Sequence, residues 1–209
     1  MNYTELKTNI EDITENTFTD DQLAMFTEQA EQKIYNTVQI PALRKNTTLS
    51  LSASNQYVDT PTDYLYTYSI AVIDGSGTYH YLLNKDVNFI REAYPTVTAE
   101  GLPKHYGNFD VNTFIFGPTP DSAYSAELNY GYYPESIVTA GTTWLGDEFD
   151  SVLLNGALVE AARFMKSEPD IIQNYEKFYV QSLQLLRMLG DGKLRSDTYR
   201  SGQASLDIA

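Results

Sequence analysis

Residues 64–83, YLYTYSIAVIDGSGTYHYLL, decide the fold. From Tyr64 to Ile73 the chain is crowded with Tyr, Thr, Val and Ile, the residues that suit a pleated, half-buried surface. Asp74-Gly75-Ser76-Gly77 is a hairpin turn, and Thr78 to Leu83 returns as the partner strand. Upstream, Thr48-Leu49-Ser50-Leu51-Ser52 alternates with period two. Downstream, Val111–Phe116 and Ala123–Tyr132 predict a second hairpin around Gly117-Pro118-Thr119-Pro120-Asp121. Between them, Asn84–Tyr94 is ambiguous: Phe89, Ile90 and Ala93 can share one short helical turn capped by Asn84. Pro61, Pro95, Pro103, Pro118, Pro120 and Pro134, six of the eight prolines, punctuate this region, which suits short strands and turns over long helices. A β domain is therefore expected over residues 47–135.

Helical signals flank it. In residues 1–46, Leu6, Ile10 and Ile13 lie at i, i+4, i+7. Thr19-Asp20-Asp21-Gln22 is a capping box set between Phe18 and Leu23, the positions of a hydrophobic staple. Leu23, Phe26, Ala30, Ile34 and Val38 then mark one face, and Pro41 ends the helix near Gln39. In residues 136–190, Asp147, Glu148 and Asp150 suit the positive end of a helix dipole. The run Val152 to Met165 is apolar on more than one face, which predicts the most buried helix of the protein. Ser167-Glu168-Pro169 breaks it, and Pro169 opens the next helix. That helix carries Ile172, Tyr175, Tyr179, Leu186 and Leu189, with Ile171, Phe178 and Leu185 beside them, and Gly190 is a natural stop. Residues 191–209 read as an extended C-terminal arm.

Helices first and last with strands between define an α+β protein. The expected architecture packs the N- and C-terminal helices into one bundle, inserts a small antiparallel β-sandwich or barrel between them, and leaves an extended C-terminal tail. The 209 residues suffice for a core without staples, and the absence of cysteine excludes disulfides and thiolate metal sites. The formal net charge of −14 argues against sequence-independent DNA binding, which runs on phosphate neutralisation. No basic n-region precedes an apolar stretch, and no run is long enough to span a bilayer, so neither a secretory leader nor a membrane partner is expected.

The search for chemistry predicts no catalytic, cofactor-binding or metal-binding residue. Only two histidines exist. His80 sits in an alternating strand and His105 beside turn residues, each without the partners a triad or a zinc site needs. Asp63, Asp86 and Asp110 read as turn or strand-edge residues, although the many carboxylates leave a glycosidase-type pair open. Gly75-Ser76-Gly77 lacks the third glycine and the lysine of a phosphate cradle. The tyrosines have no Lys or Arg between them at Tyr64, Tyr66 and Tyr68, against a base-stacking platform. They suit strands and protein contacts.

Three stretches resemble the head–tail adaptor, or connector, proteins of tailed bacteriophages, especially those of short-tailed phages. One is Thr19-Asp20-Asp21-Gln22-Leu23 leading to Ile40-Pro41-Ala42-Leu43-Arg44. Another is Tyr57-Val58-Asp59-Thr60-Pro61-Thr62-Asp63-Tyr64-Leu65. The third combines Leu128-Asn129-Tyr130-Gly131-Tyr132-Tyr133-Pro134, Trp144-Leu145, the helix from Phe149 to Met165, and Tyr175-Glu176-Lys177-Phe178-Tyr179. The resemblance covers residues 3–190. It implies a structural protein of the virion neck, made in the host cytoplasm and assembled as a ring of about twelve copies on the portal. The partners implied are the portal protein, a tail or nozzle protein, other copies of the chain, and genomic DNA only as it passes through the channel at ejection. Carried onto this sequence, the basic arm with Lys193, Leu194, Arg195, Tyr199 and Arg200 would dock on the portal. Tyr64, Tyr66, Tyr68, Tyr79 and Tyr81 would form a β-domain interface.

Charge is unevenly divided. Residues 1–40 hold 2 basic and 8 acidic residues, a net of −6, whereas 193–206 hold 3 basic and 1 acidic, a net of +2. This division favours attraction between the arm of one subunit and the body of its neighbour. The alternative function is a non-catalytic carbohydrate- or receptor-binding module of a phage tail, with Trp144 or exposed tyrosines as a stacking platform. Trp144 also fits as a core anchor.

Overall fold

A computed structural model describes residues 1–201, with side chains described as far as Gly190. The described chain forms two compact units, one from residues 1–43 and 134 onward, the other from Arg44–Tyr133.

The first unit is helical. Helix α1 (Tyr3–Thr14) is capped by Asn2, and α2 (Asp20–Thr37) by Thr19. The Thr19 side chain accepts from Gln22 N–H while Gln22 Oε1 accepts from Thr19 N–H, the reciprocal arrangement expected of that tetrad. Phe18 packs edge-on to the Phe26 ring, with centroids 5.2 Å apart, one turn beyond the expected staple partner Leu23. A 3-10 turn (Pro41–Leu43) ends this half. After the second unit come two short helices, α4 (Ile137–Ala140) and α5 (Trp144–Glu148), then α6 (Asp150–Phe164) and α7 (Pro169–Ser201). Helix α6 is the centre of the unit: Val152, Leu153, Ala157, Ala161 and Ala162 are fully buried, and α1, α2, α5 and α7 all pack on it. Its core includes Leu6, Ile10, Phe26 and Ile34 from the N-terminal helices and Leu186 from α7.

Three local expectations need correction here. Ile13 is 45% exposed, because α1 ends level with the end of α6, where the Asn16 amide meets Met165 Sδ at 3.2 Å. Helix α2 stops at Thr37, two residues before Gln39. Helix α7 runs through Gly190 to Ser201, so the segment after Gly190 begins as helix rather than as an extended arm. Gly190 serves close approach: a Cβ there would lie 2.6 Å from the Gln39 carbonyl oxygen and 2.8 Å from Ile40 Cγ2. Residues 202–209 of the expected arm lie outside the described residues.

The second unit is a β-sandwich. Its strands are β1 (Arg44–Leu51), β2 (Tyr57–Asp59), β3 (Tyr66–Ile73), β4 (Tyr79–Tyr81), β5 (Leu83–Asn84), β6 (His105–Asn108), β7 (Thr113–Gly117) and β8 (Tyr124–Gly131), with a short helix α3 (Val87–Ala93) after β5. One sheet has the order β1-β8-β3-β4, the other β2-β7-β6-β5. The hairpin at Asp74–Gly77 forms, with Ile73 opposite Tyr79. The expected second hairpin does not: β7 and β8 lie in different sheets, and the Pro118–Pro120 segment carries the chain from one to the other. β7 instead forms a hairpin with the preceding β6 and pairs on its other side with the distant β2, and β8 pairs with the distant β1 and β3. The sandwich is also not wholly antiparallel, because β5 and β6 pair in parallel. The long connection through α3 supplies the crossover that a parallel pair requires. Asp86, not Asn84, caps α3. Ile70, Val72, Ala126 and Leu128 from one sheet meet Phe114 and Phe116 from the other in a common core.

Substituting Leu for the fully buried Ala161 is expected to overpack α6 and destabilise the protein by roughly 1–3 kcal/mol, read from the urea unfolding midpoint. An unchanged midpoint would contradict the packing described for α6.

Candidate functional site: an interaction surface on the β unit

The outer face of the β1-β8-β3-β4 sheet gathers most of the tyrosines singled out in the sequence. Strand alternation sends Ile70 and Val72 into the core and their neighbours outward. Tyr79 pairs opposite Ile73 and Tyr81 opposite Ala71, so both lie on the outer face, and Tyr81 is 71% exposed. Between Thr67 and Ser69 the β3–β8 register shifts, with Tyr68 as the extra residue. This bulge resets the alternation and brings Tyr66 to the outer face opposite Gly131. Tyr66 lies directly over Gly131, where a Cβ would come within 2.5 Å of its ring, so glycine is required for that close approach.

Tyr66 and Tyr68 are coupled. Their rings meet edge to face at 5.2 Å, and their hydroxyls are 3.0 Å apart. The Arg44 guanidinium stacks over Tyr68, 4.1 Å from the ring centroid. Arg44 Nε is buried without a hydrogen-bond partner. Partial burial and the Tyr68 hydroxyl push the Tyr66 phenol up to about 12, so it remains a neutral donor and acceptor at physiological pH. Two tyrosines and an arginine held by mutual stacking are the side-chain types that carry binding energy at protein interfaces.

Tyr64 does not belong to this face. Its ring packs edge-on to the buried Phe114 at 5.2 Å, and its hydroxyl is 3.0 Å from Thr67 Oγ1. Of the five tyrosines proposed as an interface, Tyr66 and Tyr68 form one cluster and Tyr79 and Tyr81 line the edge strand of the same sheet. Lys193, Leu194, Arg195, Tyr199 and Arg200 lie on the helical backbone of α7, and their side chains lie outside the described ones.

Several titratable groups have defined partners within the fold. Asp74 accepts from Ser76 N–H, Ser76 Oγ–H and Thr78 N–H and meets His80 Nε2 at 2.8 Å. The Ser76 hydroxyl first, then His80 and the turn amides, hold its carboxyl well below the usual range. Asp86 caps α3 through Asn88 N–H, and Asp110 holds the β6–β7 turn through Asn112 N–H. Asp63 accepts from Lys45 Nζ at 2.7 Å and from the Tyr130 hydroxyl at 2.8 Å. His105 Nδ1 lies 3.0 Å from the Tyr94 hydroxyl, and burial, with Lys85 and Lys104 nearby, lowers its pKa. Trp144 packs against the helical core beside Phe149, the rings 5.7 Å apart. Among the described residues no group of His, Asp or Glu is arranged to hold a metal ion.

One feature of the helical unit has no local signature in the sequence. A cleft of about 320 Å³ lies between α2, α6 and α7, floored by Ala30, Val159 and Val180. Along it, Lys33 pairs with Glu160, Arg163 reaches Glu160 at 3.3 Å, and Arg163 binds Glu176 at 2.8 Å. Only the i, i+3 pair Glu160–Arg163 is visible as a spacing; the rest depends on helices distant in sequence.

The sequence profile of the SU10 adaptor protein family matches residues 1–205, and the chain belongs to that family. It is an adaptor protein of a bacteriophage and a component of the virion. No curated protein matches it. No described helix is long and apolar enough to cross a membrane.

Glu31 gives a test of the acid assignments. It is buried, accepts from Ile137 N–H at the start of α4 at 2.9 Å, and its pKa is raised chiefly by desolvation, against the hydrogen bonds from Ser136 and Ile137. A native pKa above the unfolded value means that the folded state binds more protons between the two. Stability from this group is therefore full below the ordinary carboxylate range and falls as pH rises through the native value. Glu31→Gln keeps an acceptor for Ile137 and removes the charge. Its melting temperature is expected to exceed that of the wild type near neutral pH, with the difference shrinking on acidification. Equal melting curves at neutral pH would remove the desolvation account.

Proposed function

We propose that this chain is a non-catalytic head-to-tail adaptor that forms a ring of about twelve copies between portal and tail. The observation that carries the reading is the family match over residues 1–205. In this reading the C-terminal part of α7 and the residues beyond it dock on the portal, and the outer tyrosine face of the β unit contacts a neighbouring subunit or the next tail component. The clustering of Arg44, Tyr66 and Tyr68 supports a protein partner for that face. The net charge of −14 supports a role around passing DNA, because an acidic lumen repels phosphates and lets the genome slide during ejection.

Light scattering and negative-stain imaging, with and without the portal ring, test the proposal. The expected result is a ring of copies seated on the portal; a chain that ignores the portal would sink it. Deleting Lys193–Ala209 is expected to leave thermal unfolding unchanged, since the described core residues of α7, Leu183 and Leu186, precede the deletion. It should also abolish co-sedimentation with the portal. Unfolding of the truncated chain, or undiminished docking, would remove the arm from the mechanism.

A further inference from the structure

Helix α7 is apolar on two sides and uses one of them within the chain. Leu183 and Leu186 are buried. On a neighbouring face, Ile171, Phe178 and Leu185 recur every seven residues and form one stripe along the helix. They are not covered: Phe178 is 52% and Leu185 63% exposed. Over the four turns from Ile171 to Leu185 the stripe runs about 21 Å at 1.5 Å per residue. The helix carries few charges there. Glu176 is turned toward Arg163 of α6, and Lys177 is the cation beside Phe178.

The helical unit carries a second set of exposed apolar side chains, in the last turn of α1 and on the last residue of α6. Where α1 ends and α2 begins, Phe18 contacts the exposed Phe164 with centroids 6.4 Å apart; Ile13, exposed in the last turn of α1, lies at the end of that helix, which Asn16 ties to Met165 beside Phe164. The rim of this patch is acidic, with Asp12 and Glu15 exposed beside Ile13. Two unlike patches on one subunit are what a head-to-tail contact requires, and repeated head-to-tail contacts form a ring where the rotation between copies closes. A chain of net charge −14 repels its own copies wherever acidic surfaces face each other. A charge-poor stripe flanked by Lys177 and an apolar patch rimmed by acids escape that repulsion.

We infer that the α7 stripe of one copy docks on the Ile13–Phe18–Phe164 patch of a second copy of this chain. The inference rests on the ring-forming reading above and adds the two surfaces that meet. It predicts a direction around the ring, since the stripe and the patch are different surfaces of the same subunit.

The test places the photocrosslinking residue p-benzoylphenylalanine at position 178 of the full-length chain. The chain is irradiated free at high concentration and after co-sedimentation with the portal, and the linked peptides are mapped by mass spectrometry. The expected product is a two-copy adduct whose partner peptide contains residues 11–18 or Phe164. Adding Ile13→Asp to the partner copy should lower the adduct yield at least tenfold while leaving the circular dichroism and melting temperature of this exposed-site variant unchanged. Leu185→Asp in the labelled copy should do the same. Co-sedimentation without a two-copy adduct, an adduct with the portal, or an adduct mapping elsewhere on the second copy overturns the inference and leaves the adaptor reading standing. Failure to co-sediment overturns that reading, and the free sample then decides the contact alone: the mapped adduct supports it and its absence overturns it.

Discussion

Helix α6 has almost no face to give to water. Val152, Leu153, Gly156, Ala157, Leu158 and Ala161 are buried, so the helix forms only if other elements surround it. In this chain those elements come from both ends of the sequence: α1 and α2 before the β unit, α7 after it. The helical unit cannot assemble until its N-terminal residues meet its C-terminal ones, and the intervening residues must form a closed loop whose ends return to the same place. Closing such a loop has an entropic cost that grows only slowly with its length. A whole β-sandwich can therefore occupy it. The small side chains on α6 matter because they let the surrounding helices approach: a Cβ at Gly156 would lie 3.1 Å from Ala30 Cβ on α2 and 3.2 Å from the Tyr179 ring on α7.

What the sequence made legible was local. The capping box at Thr19–Gln22, the turn at Asp74–Gly77, the break at Ser167–Pro169 and the all-round apolar character of α6 each rest on residues within a few positions of one another. What escaped was pairing at a distance. Val111–Phe116 and Ala123–Tyr132 both have the alternation of strands, but alternation says nothing about which strand lies alongside which, and the two belong to different sheets. The candidate interface divides along the same line. Its tyrosines were visible as a group, yet the side taken by Tyr66 depends on a bulge at Tyr68, whose position is set by the β3–β8 register. Tyr64, two residues earlier, is half-buried and packs against the core instead. Gly190 shows the limit from the other direction: a glycine near the expected end of a helix has the signature of a stop, and here it is a point of close packing against Gln39 and Ile40.

The acidic residues have two occupations. Asp74, Asp86, Asp110 and Glu31 each accept from backbone amides at a turn or helix start, groups that would otherwise go without an intramolecular partner. Such residues look like candidate acids and bases when only composition is known; in the fold each has a backbone amide as its partner. The remaining excess of negative charge is a property of the surface. It restricts where another copy or a nucleic acid can approach, and it gives significance to the charge-poor stripe on α7 and to the outer tyrosine sheet, where Arg44 is a cation.

The β1–β8 ladder runs from Arg44 opposite Gly131 to Leu51 opposite Tyr124. The first and last strands of the inserted unit are thus neighbours, and the chain enters and leaves the sandwich side by side. Seen over evolutionary time, this is the geometry of an exchangeable cassette. A descendant could lengthen, trim or replace the sandwich between those two points while the helical unit kept the same two attachment points. One unit could then diversify to follow a changing partner while the other stayed matched to an unchanging one.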